Sequence, residues 1–511
     1  MGKIITEIIN RFDRGMTNDP RTSDTRYCQL MKNFDMHSHP HKLIPFRSSE
    51  AGDSVPDTRR AVNFTAVSVS GTLRLYALGV VSGTTRAAVN YKTDFTGTAW
   101  TSPANNESSA GTRDENFFIY YKNYIYGARA GTNLWRHGDI TGSPTWSDSW
   151  QSVTYTNMAQ GLIHSKDDIL YIPYDNKIAK WDNTTFTATA LTLPDNLIIS
   201  SICEYGNYLA IGCKPLSGTG KSVVYLWDRD ASLTTLSESI DWGEGNLQVL
   251  ENVEGYLIGI SFNNTNAFLA KIIFRQYNGG TPQIFTELES EAGYTAGDLD
   301  LMKQKINNYL YFLLTITLNG TKEQGLWKIG RSRIGEPFSV VMDRTPNNDT
   351  ALTSGTLEGF FILGDYAFIA YISSSVYGLS KTDDTNLHAH TAVYETTILN
   401  GGDSSITKKL VKATVINEPL TTNSDITLKY RKDQETSFTT ISNYDGTTST
   451  NTHQNKLRRT AANIESSGAV LPSYKEITFR AEITAETAGT TGNVSGLLGI
   501  KYVAEVIDDD I

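Results

Sequence analysis

Apolar and polar positions alternate in short runs along most of the chain, and the runs come in pairs. In "FFIYYKNYIYGARAGTNLWR", from Phe117, an apolar stretch meets a two-residue polar turn, a second apolar stretch and then a tryptophan on a third. The phrase returns as "LIHSKDDILYIPYDNKIAKWD" from Leu162 and as "ICEYGNYLAIGC…SVVYLWD" from Ile202. It recurs from Leu250, Lys305 and Phe360, with a weaker copy, "AVSVSGTLRLYALGV", from Ala66. The residues opening the second stretch are Leu73, Tyr124, Ile169, Tyr208, Tyr256, Tyr309 and Tyr366, 39 to 57 residues apart. The third stretch carries Trp135, Trp181, Trp227, Phe274, Trp327 or Tyr377. Turns such as KN, DD, GN, EG, NN and GD suit tight hairpins, because Asn, Asp and Gly tolerate positive φ.

A repeat of roughly 40–50 residues built from three or four short strands is the size of a propeller blade. One blade cannot bury both faces of its sheet, whereas a closed ring of blades can. Seven copies predict an all-β fold with about seven β-propeller blades over residues 51–385. After residue 385 the rhythm changes. "LVKATVINEPL", "DITLKYRK", "YKEITFRAEIT" and "LLGIKYVAEVI" alternate at period two. They predict an immunoglobulin-like β-sandwich over 386–511, with a long polar loop at 443–470. Residues 1–50 read as an extended lead-in able to complete the propeller ring with a strand of its own.

Composition narrows the function. The chain is 39% hydrophobic and 10% aromatic, which excludes a disordered chain. A net charge of −10 argues against a general nucleic-acid binder, which needs a basic face, and no nucleic-acid sequence is expected to be read. Three cysteines, Cys28, Cys203 and Cys213, are too few to staple 511 residues and fit synthesis in a reducing cytoplasm. The N-terminus lacks the apolar core of a secretion signal. The most apolar run, "YLYFLLTITL" at 309–318, is about half a bilayer span and reads as a buried strand, so no membrane insertion is expected.

Candidate chemistry is sparse. His37, His39 and His41 in "DMHSHPHKL" occupy alternate positions, and on a strand all three would share a face. Three imidazoles can bind zinc. Yet same-face neighbours on a strand stand about 7 Å apart, so a regular strand does not converge the three rings, and Pro40 marks an edge or bend. His388 and His390 form a second, shorter pair. No metal and no other cofactor are expected. "SGTGKS" at 217–222 lacks the first glycine of a phosphate loop and the strand-to-helix setting, so it reads as a hairpin tip. "TDFTGTAW" (93–100) and "GSPTWSD" (142–148) resemble the Asp-box turns of sialidase propellers, where the box is a structural turn. Arg331 and Arg333 in "GRSRIGEP", and Arg458 and Arg459 in "KLRRT", are small basic patches: solvated charge by default, protein contacts otherwise.

The opening segment is more specific. Gly15, the run Thr17-Asn18-Asp19-Pro20, the run Asn33-Phe34-Asp35 and the phrase from Lys42 to Arg47 together resemble the start of tailed-bacteriophage virion proteins. The resemblance covers about 40 residues closely and implies a β-propeller component of a tail nozzle or hub, or of a head–tail ring, found in the virion and made in the host bacterial cytoplasm. Its partners would be copies of itself in a ring and other phage structural proteins. It implies neither cofactor nor reaction. The histidines fall in the variable part of that pattern. Two other functions stay open on the sequence: a tail protein that grips a host-surface glycan, and a propeller glycosidase, which needs two carboxylates at a set separation.

Overall fold

The structure is a computed structural model describing residues 3–45, 49–53, 60–80, 86–103, 107, 113–129, 131–138, 140, 145–218, 220–230, 238–266, 268–292, 299–346, 355–373, 376–382, 391–418, 425–433, 435–445, 460–462, 472–484 and 496–507. It is all-β, with no helix among the described residues. The chain divides into two compact units. Unit 1 comprises residues 1–49, 327–347 and 383–511; unit 2 comprises 50–326 and 348–382.

Unit 2 is a seven-bladed β-propeller. The innermost strands of the blades are Arg60–Val69, Arg113–Tyr121, Leu162–His164, Leu197–Tyr205, Asn246–Val253, Leu299–Ile306 and Thr356–Leu363. Each pairs antiparallel with a second strand across a hairpin. Those second strands open at Tyr124, Ile169, Tyr208, Tyr256, Tyr309 and Tyr366, the positions the repeat marks; in the first blade the strand opens at Thr72, one residue before Leu73. The turns work as their residues dictate. Lys122 and Asn123 both have positive φ between the paired Tyr121 and Tyr124, and Glu254 and Gly255 do the same between Val253 and Tyr256. Two consecutive positive-φ residues give the type I′ geometry that follows strand twist.

Apolar clusters fill the gaps between neighbouring blades. Trp135 packs between the first and second, Trp181 between the second and third, and Trp227 between the third and fourth. The last cluster joins Ala61, Phe64 and Leu75 of the first blade to Phe368, Ala370 and Leu379 of the seventh, so the ring of cores is closed. The outer strand of the seventh blade is Ser49–Asp53, from before the first blade, paired to Val376–Thr382. Closure therefore joins the two ends of the repeat region by main-chain hydrogen bonds, which leaves no free end to unzip.

Polar ties add to this around the axis. Gln304 donates to Ile362 O at 2.8 Å and accepts from Ile362 N at 2.8 Å. Ser201 Oγ donates to Leu250 O at 3.2 Å. Lys303 Nζ donates to Ile202 O at 2.8 Å and to Leu250 O, and pairs with Glu251 at 2.9 Å. One ammonium thus ties the inner strands of the fourth, fifth and sixth blades.

Unit 1 is a β-sandwich. One sheet runs Ile4–Ile9, Leu497–Val506, Lys408–Asn417, Thr460–Ala462, with Ser473–Tyr474 also on Lys408–Asn417. The other sheet includes Ser339–Arg344, Tyr27–Lys32, Thr391–Thr396, Ile477–Thr484, Asp425–Lys432 and Thr439–Asp445 in that order. The Phe479 and Tyr502 rings, one from each sheet, meet at 5.3 Å in the core.

This differs from the domain plan read from the sequence. Residues 1–49 are not a separate lead-in. They supply the strand Tyr27–Lys32, which lies inside a sheet between Ser339–Arg344 and Thr391–Thr396. Residues 327–347 also belong to the sandwich unit rather than to the propeller. Within 443–470, residues to Asp445 continue a strand, and Thr460–Ala462 forms another; the rest lies outside the described residues. Cys28, Cys203 and Cys213 are free, buried thiols.

Candidate interaction surface

The three histidines do not share a strand face. Only Phe34–Asp35 is a strand, and the chain turns from residue 37 onward. His37 is buried with Nε2 on Ser339 Oγ at 3.1 Å. His41 is exposed and points Nδ1 at Asn10 O, 3.2 Å away; His39 is exposed. Among the described residues no three His, Cys, Asp or Glu side chains converge as a metal site. His388 and His390 lie outside the described residues, as do Arg458 and Arg459.

His37 belongs to a buried charge cluster. Lys328 Nζ stands 3.7 Å from Asp35 Oδ1 and 3.6 Å from Asp343 Oδ1, and Arg344 Nε is 3.2 Å from Asp343 Oδ2. Burial pushes the Asp343 carboxyl up, against the pull of Lys328 and Arg344. Burial also raises Asp35, but Lys328 and the hydrogen bonds of Ser38 outweigh it and hold the carboxyl below its ordinary value. His37 is pushed down to about 3, first by burial and then by the Lys328 charge. The sign of the resulting pH dependence follows. Below about pH 6.5 the unfolded chain protonates this imidazole, whereas the folded chain does not until about pH 3. Acid in that window therefore favours unfolding, by up to about 1.4 kcal/mol per pH unit. His37→Asn removes the titration and keeps a polar partner for Ser339. The native chain is expected to lose stability relative to this variant as pH falls from 7 to 4. Melting curves at each pH measure this, and a constant difference would mean that folded His37 protonates normally.

The residues of the opening phrase hold the N-terminal segment in unit 1. Gly15 has φ +70°, and a Cβ there would stand 2.7 Å from Val340 O, so only glycine fits. The Asp19 carboxylate caps Arg21 N at 3.1 Å, and Pro20 O accepts from Ile398 N at 2.6 Å. Asn33 sits at φ 63°, donates Nδ2 to Thr345 Oγ1 at 3.1 Å and to Thr391 O at 3.3 Å, and accepts Thr345 N at 2.9 Å. Phe34 is fully buried and Asp35 faces Lys328. Lys42 pairs with Glu418 at 2.6 Å, and Leu43 exchanges two 2.9 Å hydrogen bonds with Leu497.

Two surfaces flank this frame. One is a polar cleft of about 560 Å³ lined by Arg21, Asn400, Ser404, Asp433, Lys475 and Glu476. Arg21 clamps the Glu476 carboxylate through Nε and Nη2, both at 3.2 Å. The other is the loop between Thr321–Gly330 and Ser339–Arg344, which brings Arg331 and Arg333 together at one tip. Glu336 N donates to Arg333 O at 3.1 Å, closing a turn in which Gly335 has φ +93°. That conformation is a type II turn with glycine at its third position. Arg331 lies over the Phe338 ring at 4.9 Å. Directly after Arg333, Ile334 is 87% exposed, the highest value among the described large apolar residues. Nothing in the sequence distinguished Ile334, since its exposure depends on the turn.

Two of the other sequence candidates are turns, whereas the described residues of "GSPTWSD", Thr145 to Asp148, lie in the strand Thr145–Ser152. Asp94 Oδ1 accepts from Thr96 N, Thr96 Oγ1 and Gly97 N at 2.7–3.1 Å, which makes its box a self-closed turn. In "SGTGKS", Gly218 has φ +73° and Lys221 pairs with Asp241, within a strand-to-strand connection.

No family model and no curated protein sequence matches this chain. Solved structures do resemble it. An exo-β-1,3-galactanase from Phanerochaete chrysosporium is 11% identical over 90% of this chain and 100% of its own, with a TM-score of 0.31. The Dos1 propeller is 11% identical over 69% and 81%, with a TM-score of 0.36. BBS1N in complex with ARL6DN is 12% identical over 67% and 97%, with a TM-score of 0.39. At such values neither activity nor partner transfers to this chain.

Proposed function

We propose that this chain is a non-enzymatic structural subunit of a tailed-bacteriophage virion, a ring-forming piece of the tail nozzle or hub or of the head–tail junction. The observation that supports this is the role of the phage-like phrase. Gly15, Pro20, Asn33, Phe34 and Asp35 each hold a position in the sandwich frame, so the feature shared with virion proteins is a way of mounting the N-terminal segment. A propeller closed by main-chain pairing is a stiff block with protected edges, suited to assembly. Its partners are copies of itself and neighbouring virion proteins.

The test is the mass of the purified chain by light scattering, alone and mixed with particles that lack it. A defined multimer, or specific incorporation into particles, is the expected result. A monomer that ignores particles and binds a surface glycan would overturn the proposal in favour of a receptor-binding role.

A further inference from the structure

Charge is divided unequally between the two units. Unit 2 contains 31 Asp and Glu against 21 Lys and Arg, so it carries the whole net charge of −10, while unit 1 is balanced at 24 of each. Within unit 1, residues 327–347 are basic, with four Lys and Arg against two Asp and Glu. Lys328 and Asp343 of that segment are buried, whereas Arg333 stands exposed beside Ile334 at the loop tip. The tip is thus a short, turn-locked projection that presents one apolar side chain beside arginine. Arginine around an apolar anchor is a composition enriched at the centres of protein interfaces.

A complementary surface exists on unit 2. The outer strand of the fourth blade, Glu238–Glu244, exposes Glu238, Asp241 and Glu244, of which Asp241 is paired with Lys221. The outer strand of the fifth blade, Gln283–Ser290, exposes Ile284 at 50%. Arg275, opposite Ile284 in the fifth blade, reaches Gly243 between Asp241 and Glu244 of the fourth, so three carboxylates, partly offset by Lys221 and Arg275, share an edge with the exposed isoleucine and complement the loop tip. We infer that the Arg331–Phe338 loop of one copy docks, through Ile334 and Arg333, on the acidic outer edge of the fourth and fifth blades of a second copy. Donor and acceptor patches differ, so the contact is head-to-tail, and repeated it closes a ring when the rotation permits. This rests on the proposed role as an assembling subunit and names the contact that performs it.

Light scattering on the full chain tests the contact with two variants, Ile334→Asp and Arg333→Glu. Both sites are exposed, and melting curves should match those of the unsubstituted chain. The unsubstituted chain is expected to be a multimer that dissociates as salt rises, since exposed charge attraction is screened within about 8–10 Å at physiological ionic strength. Each variant is expected to shift to the mass of one chain at the same concentration. Adding Glu244→Lys to Arg333→Glu is expected to restore part of the association. If the unsubstituted chain is multimeric and both variants stay so, the docking inference fails and the assembly role stands. If the variants keep their multimer yet no longer enter particles, the tip contacts a different virion protein, and the inference also fails. If the unsubstituted chain is a monomer that does not enter particles, the assembly role itself fails.

Discussion

Lys303→Met is expected to destabilise the propeller by about 3–5 kcal/mol, the usual cost of removing one partner from a buried ion pair. Three observations place the site in that class. Lys303 and Glu251 side chains are only 8% and 15% exposed. The ammonium also satisfies Ile202 O and Leu250 O, which the variant leaves without that donor. The groups come from three successive inner strands, so the loss is felt across blades rather than within one. Methionine keeps most of the side chain's volume, which separates the charge effect from a cavity. The control is the double variant Lys303→Met/Glu251→Gln. Removing both charges of a buried pair is often close to neutral, so the double variant is expected to recover part of the loss. Thermal and urea melts measure both. A single variant within about 0.5 kcal/mol of the native chain would show that water replaces the ammonium at no cost.

The propeller was legible in the sequence for a simple reason. Its pairing is local: each hairpin partner lies a few residues away, and turns such as Lys122-Asn123 and Glu254-Gly255 announce the register chemically. Alternation then assigns the faces, and the tryptophans at 135, 181 and 227 that recur on the third stretch are buried. The sandwich was only half legible. Its strands alternate well enough to be seen, but their partners come from three separate segments, 1–49, 327–347 and 383–511, and period-two patterning says nothing about which strand sits beside which. Residues 27–32 look like any short strand and turn out to lie inside a sheet. The histidines illustrate the opposite failure: the spacing of 37, 39 and 41 suggests a strand, and the turn around Pro40 prevents one. Lys303 was invisible because its partners, Ile202, Leu250 and Glu251, are set by ring closure. The tip at Ile334 was half visible: its arginines stood out as charge, its isoleucine did not.

A chain ending at Thr382 is expected to lose unit 1 altogether, with residues 1–49 unable to fold. The strand Ile4–Ile9 pairs with Leu497–Val506, and Tyr27–Lys32 pairs with Thr391–Thr396. Phe12 packs on Tyr394 with ring centres 5.1 Å apart, and Leu43 bonds to Leu497. Ile9, Phe12, Leu30, Met31 and Leu43 are all buried in the intact chain. Each contributes about 1.5–3 kcal/mol on burial, so their combined exposure is on the order of a whole domain's stability. The open strand edges left behind would also invite pairing between chains. The shortened chain is therefore expected to bind a hydrophobic dye, to aggregate, and to be cut by protease before residue 50. The blades should fare differently, because the inter-blade cores of residues 60–382 and the strand Ser49–Asp53 remain present. Hydrogen exchange resolves the two outcomes along the chain: protection retained in the hairpins of the second to fifth blades and lost over residues 3–45. Protection that persists over residues 27–32 without the C-terminal strands would mean that the N-terminal segment is held by residues 327–347 alone. The opening phrase from Gly15 to Arg47 would then specify a smaller self-sufficient unit than the sandwich described above.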